Sequence, residues 1–206
     1  MTVTQTGATE AAARLEAMAA RLRDLSPVMA VIAADTMTVI DDSFAQSRSP
    51  DGSPWAPLSD VTLMARARDA AGPSRITNRM IGPMPEGTSR TRTRRWTRRR
   101  SEAAAAAVFN AKPLIDTGRL RSSAFARPKK TGLQFGTNVA YAGAHQFGSL
   151  NRPWGKGARR PYDARPFLPV TKFGSAFTLT ATGPGGAHWS RARESIRRYI
   201  TEGVVS

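Results

Sequence analysis

The sequence predicts an α+β protein, with an N-terminal helical arm followed by a small, mainly antiparallel sheet that carries packed helices. Three observations predict it. Residues 9–46 repeat apolar side chains at three- and four-residue steps, the period of an amphipathic helix. Residues 120–137 change to short apolar runs broken by turn residues, the pattern of a hairpin. Between the two regimes, Ser49-Pro50-Asp51-Gly52-Ser53-Pro54 concentrates turn formers and ends the helical region.

Residues 1–8 are small and polar and are expected to fray. From Thr9 to Leu25, the residues Leu15, Met18, Leu22 and Leu25 share one helical face. Ser26-Pro27 reads as a cap followed by proline at the first helical position, where its missing N–H costs nothing. A second helix follows to Gln46, with Val28, Ile32, Val39, Ile40 and Phe44 as its apolar set. The alternative is one helix bent at Pro27. The acidic groups of the two helices and the exposed face of Val28–Phe44 are expected to contact a neighbouring subunit or ring, because so small a sheet offers limited core to bury two helices. Trp55, held between prolines, is expected to anchor a loop on the core. Ser59 caps a short helix to about Arg68. Residues 70–100 lack periodicity and read as a basic loop insertion. Ser101 caps an Ala-rich helix, Glu102 to Phe109.

Farther along, Leu120–Ala126 and Leu133–Thr137 are expected as strands joined by a loop of more than two residues, Pro128–Gly132. Gly136 and Asn138 tolerate positive φ, which would bend Tyr141 back onto the sheet. Val139–Phe147 fits strand or helix. Gly148–Asp163 is a basic loop. Arg165–Val170 is extended, since its prolines suppress helix. Phe173–Thr180 fits a strand or a helix start. Gly183-Pro184-Gly185-Gly186 reads as a chain break before a basic helix, Ser190 to Ile200. The expected division is therefore a helical arm over 1–47, an α+β core over 48–182 and a C-terminal basic helix over 183–206.

Composition narrows the chemistry. The chain has 206 residues, 40% of them apolar, and no cysteine. Disulfides, thiolate metal sites and cysteine nucleophiles are excluded. His145 and His188 are the only histidines. No Gly-rich phosphate loop and no Gly-x-Ser-x-Gly elbow occurs. Asp41-Asp42 reads as a solvated helix face. No catalytic, metal or cofactor-binding set emerges, so the expectation is a protein that is not an enzyme and takes no cofactor. No apolar run reaches the roughly 18 residues of a membrane span, so no membrane partner is expected.

The net charge of +16 is unevenly spread. Residues 1–60 hold four Arg against eight Asp and Glu, whereas residues 61–206 hold 27 basic against seven acidic groups. Arg90, Arg92, Arg94, Arg95, Arg98, Arg99 and Arg100 fall within eleven residues, with Trp96 among them. Such a run needs an acidic acceptor, either nucleic acid or an acidic protein face. A protein face is favoured, because the Thr-Arg alternation suits an edge strand and Trp96 suits an interface anchor.

The remaining signal is a set of short motifs in a fixed order. After Phe44 comes Asp51-Gly52-Ser53-Pro54-Trp55-Ala56-Pro57-Leu58-Ser59. Then comes Leu114-Ile115-Asp116-Thr117-Gly118-Arg119-Leu120-Arg121-Ser122-Ser123. Next, Gly136-Thr137-Asn138-Val139-Ala140-Tyr141-Ala142 leads to His145-Gln146-Phe147-Gly148. Ala164-Arg165-Pro166-Phe167-Leu168-Pro169 closes it. This ordered set resembles the phage virion morphogenesis family, the tail-completion and neck proteins of Mu-like tailed phages. More distantly it resembles the neck proteins of phages with long non-contractile tails. The resemblance spans about residues 40–170, with 70–100 poorly matched. It implies a structural protein of the virion head–tail junction, assembled in the host cytoplasm. It further implies a homo-oligomeric ring, a hexamer or dodecamer, that joins head to tail beside other neck and tail proteins, with packaged DNA passing close by. The alternative is a basic nucleic-acid-binding module that contacts DNA through residues 90–100.

Overall fold

The computed structural model describes residues 6–71, 101–148, 163–173 and 176–205. It is an α+β fold of helices and two antiparallel hairpins. The chain divides into two compact units, Met1–Ala56 with Thr117–Ser206, and Pro57–Asp116.

In the first unit, α1 (Thr6–Arg23) and α2 (Ser26–Gln46) are separate helices. Asp24 parts them: its carboxylate accepts the Ser26 N–H at 2.9 Å. Hydrogen bonding from Ser26 holds that carboxyl below its usual range. Val28, Ile32, Thr36, Ile40 and Phe44 form a four-residue row along α2, flanked by Met29, Ala33, Val39 and Ser43, and all nine are buried. So wide a buried face exceeds one stripe and needs cover on more than one side. The hairpin β1 (Ala124–Lys129) with β2 (Gly132–Thr137) and the last helix supply it. The apolar row of α2 is thus covered within the same subunit. The part of the arm that stays outside is α1.

The hairpin differs from expectation at both ends. Lys129 pairs with Gly132, so the turn is the two residues Lys130 and Thr131 rather than a longer loop. Residues 120–123 do not extend the strand. Gly118, at φ 74°, turns the chain into a single helical turn, α5 (Arg119–Ser122), which buries Leu120. The strand starts only after Ser123, whose hydroxyl lies 2.6 Å from that of Thr137. Gly136, at φ 159°, is extended inside β2 opposite Phe125, and Asn138 has no positive φ; the chain turns instead at Val139–Ala142, where the Ala142 N–H donates to the Val139 carbonyl at 3.1 Å.

Val139–Phe147 resolves into a turn and a short helix, α6 (Ala142–Phe147), ended by Gly148 at φ 71°. From Arg165 the chain is non-helical, as expected, but it bends at Leu168 and Pro169, where the Val170 N–H donates to the Leu168 carbonyl at 2.7 Å, before β3 (Val170–Phe173), which pairs antiparallel with β4 (Ala176–Leu179).

The last helix, α7 (Gly183–Glu202), starts seven residues before the expected Ser190. Glycines read as a break instead permit close approach. A Cβ on Gly183 would overlap the Asp51 carbonyl, and one on Gly186 would overlap that of Ala181. Bare backbone lets the first turn settle on the 50–52 loop, where the Gly185 N–H donates to the Pro50 carbonyl at 2.7 Å. Pro184 falls in the first turn, where helices accept it.

The second unit holds α3 (Asp60–Ala71) and a helix over residues 101–109, α4. Ser59 caps α3 as expected, its hydroxyl accepting the Thr62 N–H at 3.4 Å. Arg66 donates to the Lys112 carbonyl at 3.1 Å. The expected insertion over 70–100 falls outside the described residues except for the end of α3.

Candidate functional site

The motif residues of the first unit converge on the C-terminal end of α2. Ser47, in a left-handed conformation, caps that helix. The following loop folds back through Ser49 N–H to Ser53 O at 2.8 Å and Trp55 N–H to Ser47 O at 3.0 Å. This is the turn chemistry read in the sequence, and its consequence is to aim Trp55 at Phe44. The two rings meet edge-on, with centroids 5.7 Å apart. Phe167 reaches the same Phe44 ring at 5.3 Å. All three side chains are buried. Contacts of this kind stabilise by about 0.5–1.5 kcal/mol beyond the area they bury.

Polar bonds lock this aromatic group. The Trp55 indole donates to the Pro166 carbonyl at 2.7 Å. The Arg165 guanidinium donates to the Ala56 carbonyl at 2.9 Å, and its backbone N–H donates to the His145 carbonyl at 2.6 Å. Gln146 is the hub. Its Oε1 accepts from the N–H groups of Phe167 and Leu168 at 3.0 and 2.9 Å. Its Nε2 donates to the carbonyls of Leu168 and Val170 at 3.1 and 3.0 Å. Both ends of one buried amide therefore read the backbone of one extended segment, and we call the assembly the clasp. Trp189 of α7 adds an indole bond to the Pro169 carbonyl at 3.0 Å.

The other motif residues surround the clasp or lie apart from it. The Tyr141 ring meets the His145 ring edge-on at 5.6 Å. Burial, and secondarily the Arg165 charge, hold the His145 imidazole below its usual pKa. Phe147 is partly exposed and packs on Phe177 at 5.3 Å, while Gly148 ends α6. Thr117, Gly118 and Arg119 set up α5: the Thr117 hydroxyl accepts the Arg119 N–H at 3.4 Å. Arg121 then binds Asp41 of α2 at 2.7 Å, which gives one member of the acidic pair a structural partner. Pro57 and Leu58 belong to the second unit. Arg90, Arg92, Arg94, Arg95, Trp96, Arg98, Arg99 and Arg100 lie outside the described residues.

Sequence reasoning missed a second buried polar contact. His188 of α7 is fully buried, with Nε2 3.0 Å from the Thr36 hydroxyl. That hydroxyl donates to the Ile32 carbonyl at 2.7 Å, so its oxygen accepts the Nε2 proton and Nδ1 is left without one. Nδ1 is buried with no partner. Burial depresses the pKa, opposed by the Asp35 charge. Among the described residues, no three His, Cys, Asp or Glu side chains group to hold a metal. The clasp spends its polar atoms on backbone, so what it offers chemically is rigidity.

The model of one protein family matches residues 6–84. The chain matches the phage virion morphogenesis family. The match supports the family reached from the motifs and a role in building the bacteriophage virion, a structural rather than typically enzymatic one. No curated protein and no solved structure matches the chain significantly. The virion morphogenesis match begins with α1, takes in α2 and the Trp55 loop and passes α3. The motifs from Leu114 onward lie beyond it. The clasp connects the two portions, since Phe44 and Trp55 are inside the match and Gln146, Pro166 and Phe167 are outside it. No described helix is long and apolar enough to cross a membrane.

Proposed function

We propose that this chain is a ring-forming structural subunit of the phage neck that joins the filled head to the tail. The observation that carries the reading is the match to the virion morphogenesis family over residues 6–84. The clasp supports it, because a junction under mechanical load needs subunits that hold their shape, and a buried, fully satisfied polar network confers that. The ring, a hexamer or dodecamer, sits at the head–tail junction between other neck and tail proteins, close to the packaged DNA. It carries out no catalysis and uses no cofactor.

Deleting the gene from the phage tests this directly. The expected result is DNA-filled heads and separate tails that fail to join, with joining restored when purified protein is added to the lysate. Normal virions from the deletion strain would end the proposal. Labelled protein seen by electron microscopy on the capsid shell or at the distal tail tip would relocate it.

A further inference from the structure

One face of the first unit carries cations and no acid. From Thr117 to Tyr162 the chain has nine Lys and Arg and no Asp or Glu. Within that stretch the β1–β2 hairpin sorts its side chains by alternation. Leu133 packs on the cluster of Val28, Met29 and Ile32, and the Phe135 ring meets Trp189 of α7 at 5.6 Å, so these two point inward. Cross-strand partners share a face, which puts Ala126 and Pro128 on the same inner side. Phe125, Arg127 and Lys129, with Gln134 and Gly136 across from them, make the outward face. Arg127, Lys129 and Gln134 are exposed, as is Lys130 in the turn.

These side chains are held in place. Gly136 has no Cβ, and the Phe125 ring crosses the hairpin above it, where an added Cβ would lie 3.9 Å from Phe125 Cζ. The Arg127 guanidinium lies over the same ring, its central carbon 5.0 Å from the centroid. This cation–π contact orders the side chain and uses none of its N–H donors. The Lys130 carbonyl accepts the Leu25 N–H at 2.8 Å, which fixes the turn beside the end of α1 and its exposed Arg23. Arg127, Lys129 and Lys130 make no ion pair among the described residues. Asp24 feels the Lys130 charge, but its carboxylate is engaged by Ser26.

We propose that the outward face of the β1–β2 hairpin contacts the phosphates of duplex DNA without reading sequence. The make-up of the face favours this partner over an acidic protein. Protein–protein interfaces are depleted of lysine and carry an apolar centre. Here the one aromatic ring is roofed by a guanidinium, and no large apolar side chain of the hairpin is exposed. Surfaces that bind nucleic acid are far more positive, and most of their bonds run from groups such as Arg, Lys and Gln to phosphate and sugar. Such contacts are indifferent to sequence, as a channel through which DNA passes requires. The inference rests on the neck reading above for the presence of DNA, while the binding itself is measured on the purified protein.

Full-length protein titrated onto a short random-sequence duplex, followed by fluorescence anisotropy over a range of salt concentrations, tests it. Each phosphate contact contributes about −0.9 to the slope of log affinity against log salt. Arg127→Gln with Lys129→Gln and Lys130→Gln should therefore make the slope shallower by about 2–3 and weaken binding about tenfold or more near 0.1 M salt, with an unchanged melting curve. A control removes the same charge elsewhere: Arg14→Gln with Arg191→Gln and Arg193→Gln, all exposed, should change the slope by less than about 1. Equal losses in the two variants overturn the inference, because net charge alone then binds DNA. A wild-type protein that does not bind the duplex at low salt overturns it too. A hairpin variant that keeps the full slope also overturns it, and failure of that variant to join heads to tails would point to an acidic protein face instead. Loss confined to the hairpin variant, beside normal virions from the deletion strain, supports the hairpin contact and removes the neck reading.

Discussion

Replacing Gln146 with Met removes the hub of the clasp while nearly keeping side-chain length. The cost can be worked from the bonds lost. The Leu168 carbonyl keeps the Val170 N–H at 2.7 Å, so it retains a donor. The Val170 carbonyl loses the amide donor at 3.0 Å, and the N–H groups of Phe167 and Leu168, which dominate the cost, lose the acceptor at 3.0 and 2.9 Å that the amide oxygen provides. An unsatisfied buried donor costs about 1–3 kcal/mol, so two cost about 2–6, with a central value of about 4 kcal/mol. A domain's whole stability is about 5–15 kcal/mol, which makes this a large fraction.

Urea unfolding followed by tryptophan fluorescence is the assay. Trp55 and Trp189 both donate to the clasped segment, at Pro166 and Pro169, and so report on it. With a slope of about 1–3 kcal/mol per molar urea, a loss of about 4 kcal/mol lowers the midpoint by about 1–4 M. Native-state hydrogen exchange should show protection vanishing first at the Phe167 and Leu168 amides. A loss below about 1 kcal/mol, with those amides still protected, refutes the claim that Gln146 holds the segment.

Four further outcomes are expected. The unfolded chain's histidines titrate near about 6.5, whereas burial depresses His188 and His145 in the folded state, so unfolding takes up protons as pH falls. Stability should be full above about pH 6.5 and fall below it by up to about 1.4 kcal/mol per pH unit for each histidine; His188→Leu should flatten part of the slope measured by denaturation from pH 7.5 to 5, and a flat wild-type profile sinks the account. Gly186→Ala should cost about 1–3 kcal/mol by forcing the α7 turn off Ala181, whereas Gly143→Ala, with open space at its Cβ, should gain about 0.5–1 kcal/mol in thermal melts. Changing Arg92, Arg94, Arg95, Arg98 and Arg99 to Ser should abolish head–tail joining in a complementation assay while DNA binding changes little; normal joining with lost DNA binding would favour the nucleic-acid reading. A fragment of residues 1–84 should show little helix by circular dichroism, because it lacks the hairpin and the helix that cover α2; a cooperatively melting fragment would contradict this.

What the sequence made legible, and what it did not, follows from the range over which each signal acts. The α2 row from Val28 to Phe44 is a local feature that local periodicity revealed; the cap was misplaced by one residue, since α2 begins at Ser26 with Leu25 at the cap position and Pro27 in its first turn. The partner of that row is not local. An amphipathic face says only that something covers it, and the hairpin and α7 that cover this one lie about 80 residues or more along the chain. At Gly183–Gly186 the fault lay in reading glycine by propensity. Its missing Cβ matters there because the Asp51 and Ala181 carbonyls come close, and the first of these approaches is set by tertiary structure. The Lys130-Thr131 turn lacks the Asn-Gly signature that marks a two-residue hairpin, so its length was hidden. The motif order was legible, but the clamp was not, since a glutamine between His145 and Phe147 looks the same whether it faces water or four backbone groups. For His188 no signal existed at all, because Thr36 is 152 residues away.

The motifs, far apart in sequence, form one bonded set in the fold. Each is unremarkable alone, and the family match covers just the first group, around Phe44 and Trp55. Their bonds explain the set. The Trp55 indole N–H is satisfied by the Pro166 carbonyl, and the Arg165 guanidinium by the Ala56 carbonyl, more than a hundred residues apart in each case. Gln146 fixes the backbone that presents Pro166 and Phe167 to those partners. Losing the Trp55 or Arg165 side chain leaves the Pro166 or Ala56 carbonyl without that donor, and losing Gln146 leaves the Phe167 and Leu168 N–H groups without their acceptor. Where the match ends at residue 84 the physical unit does not, because the Phe44 ring is closed over by a phenylalanine from the far end of the chain.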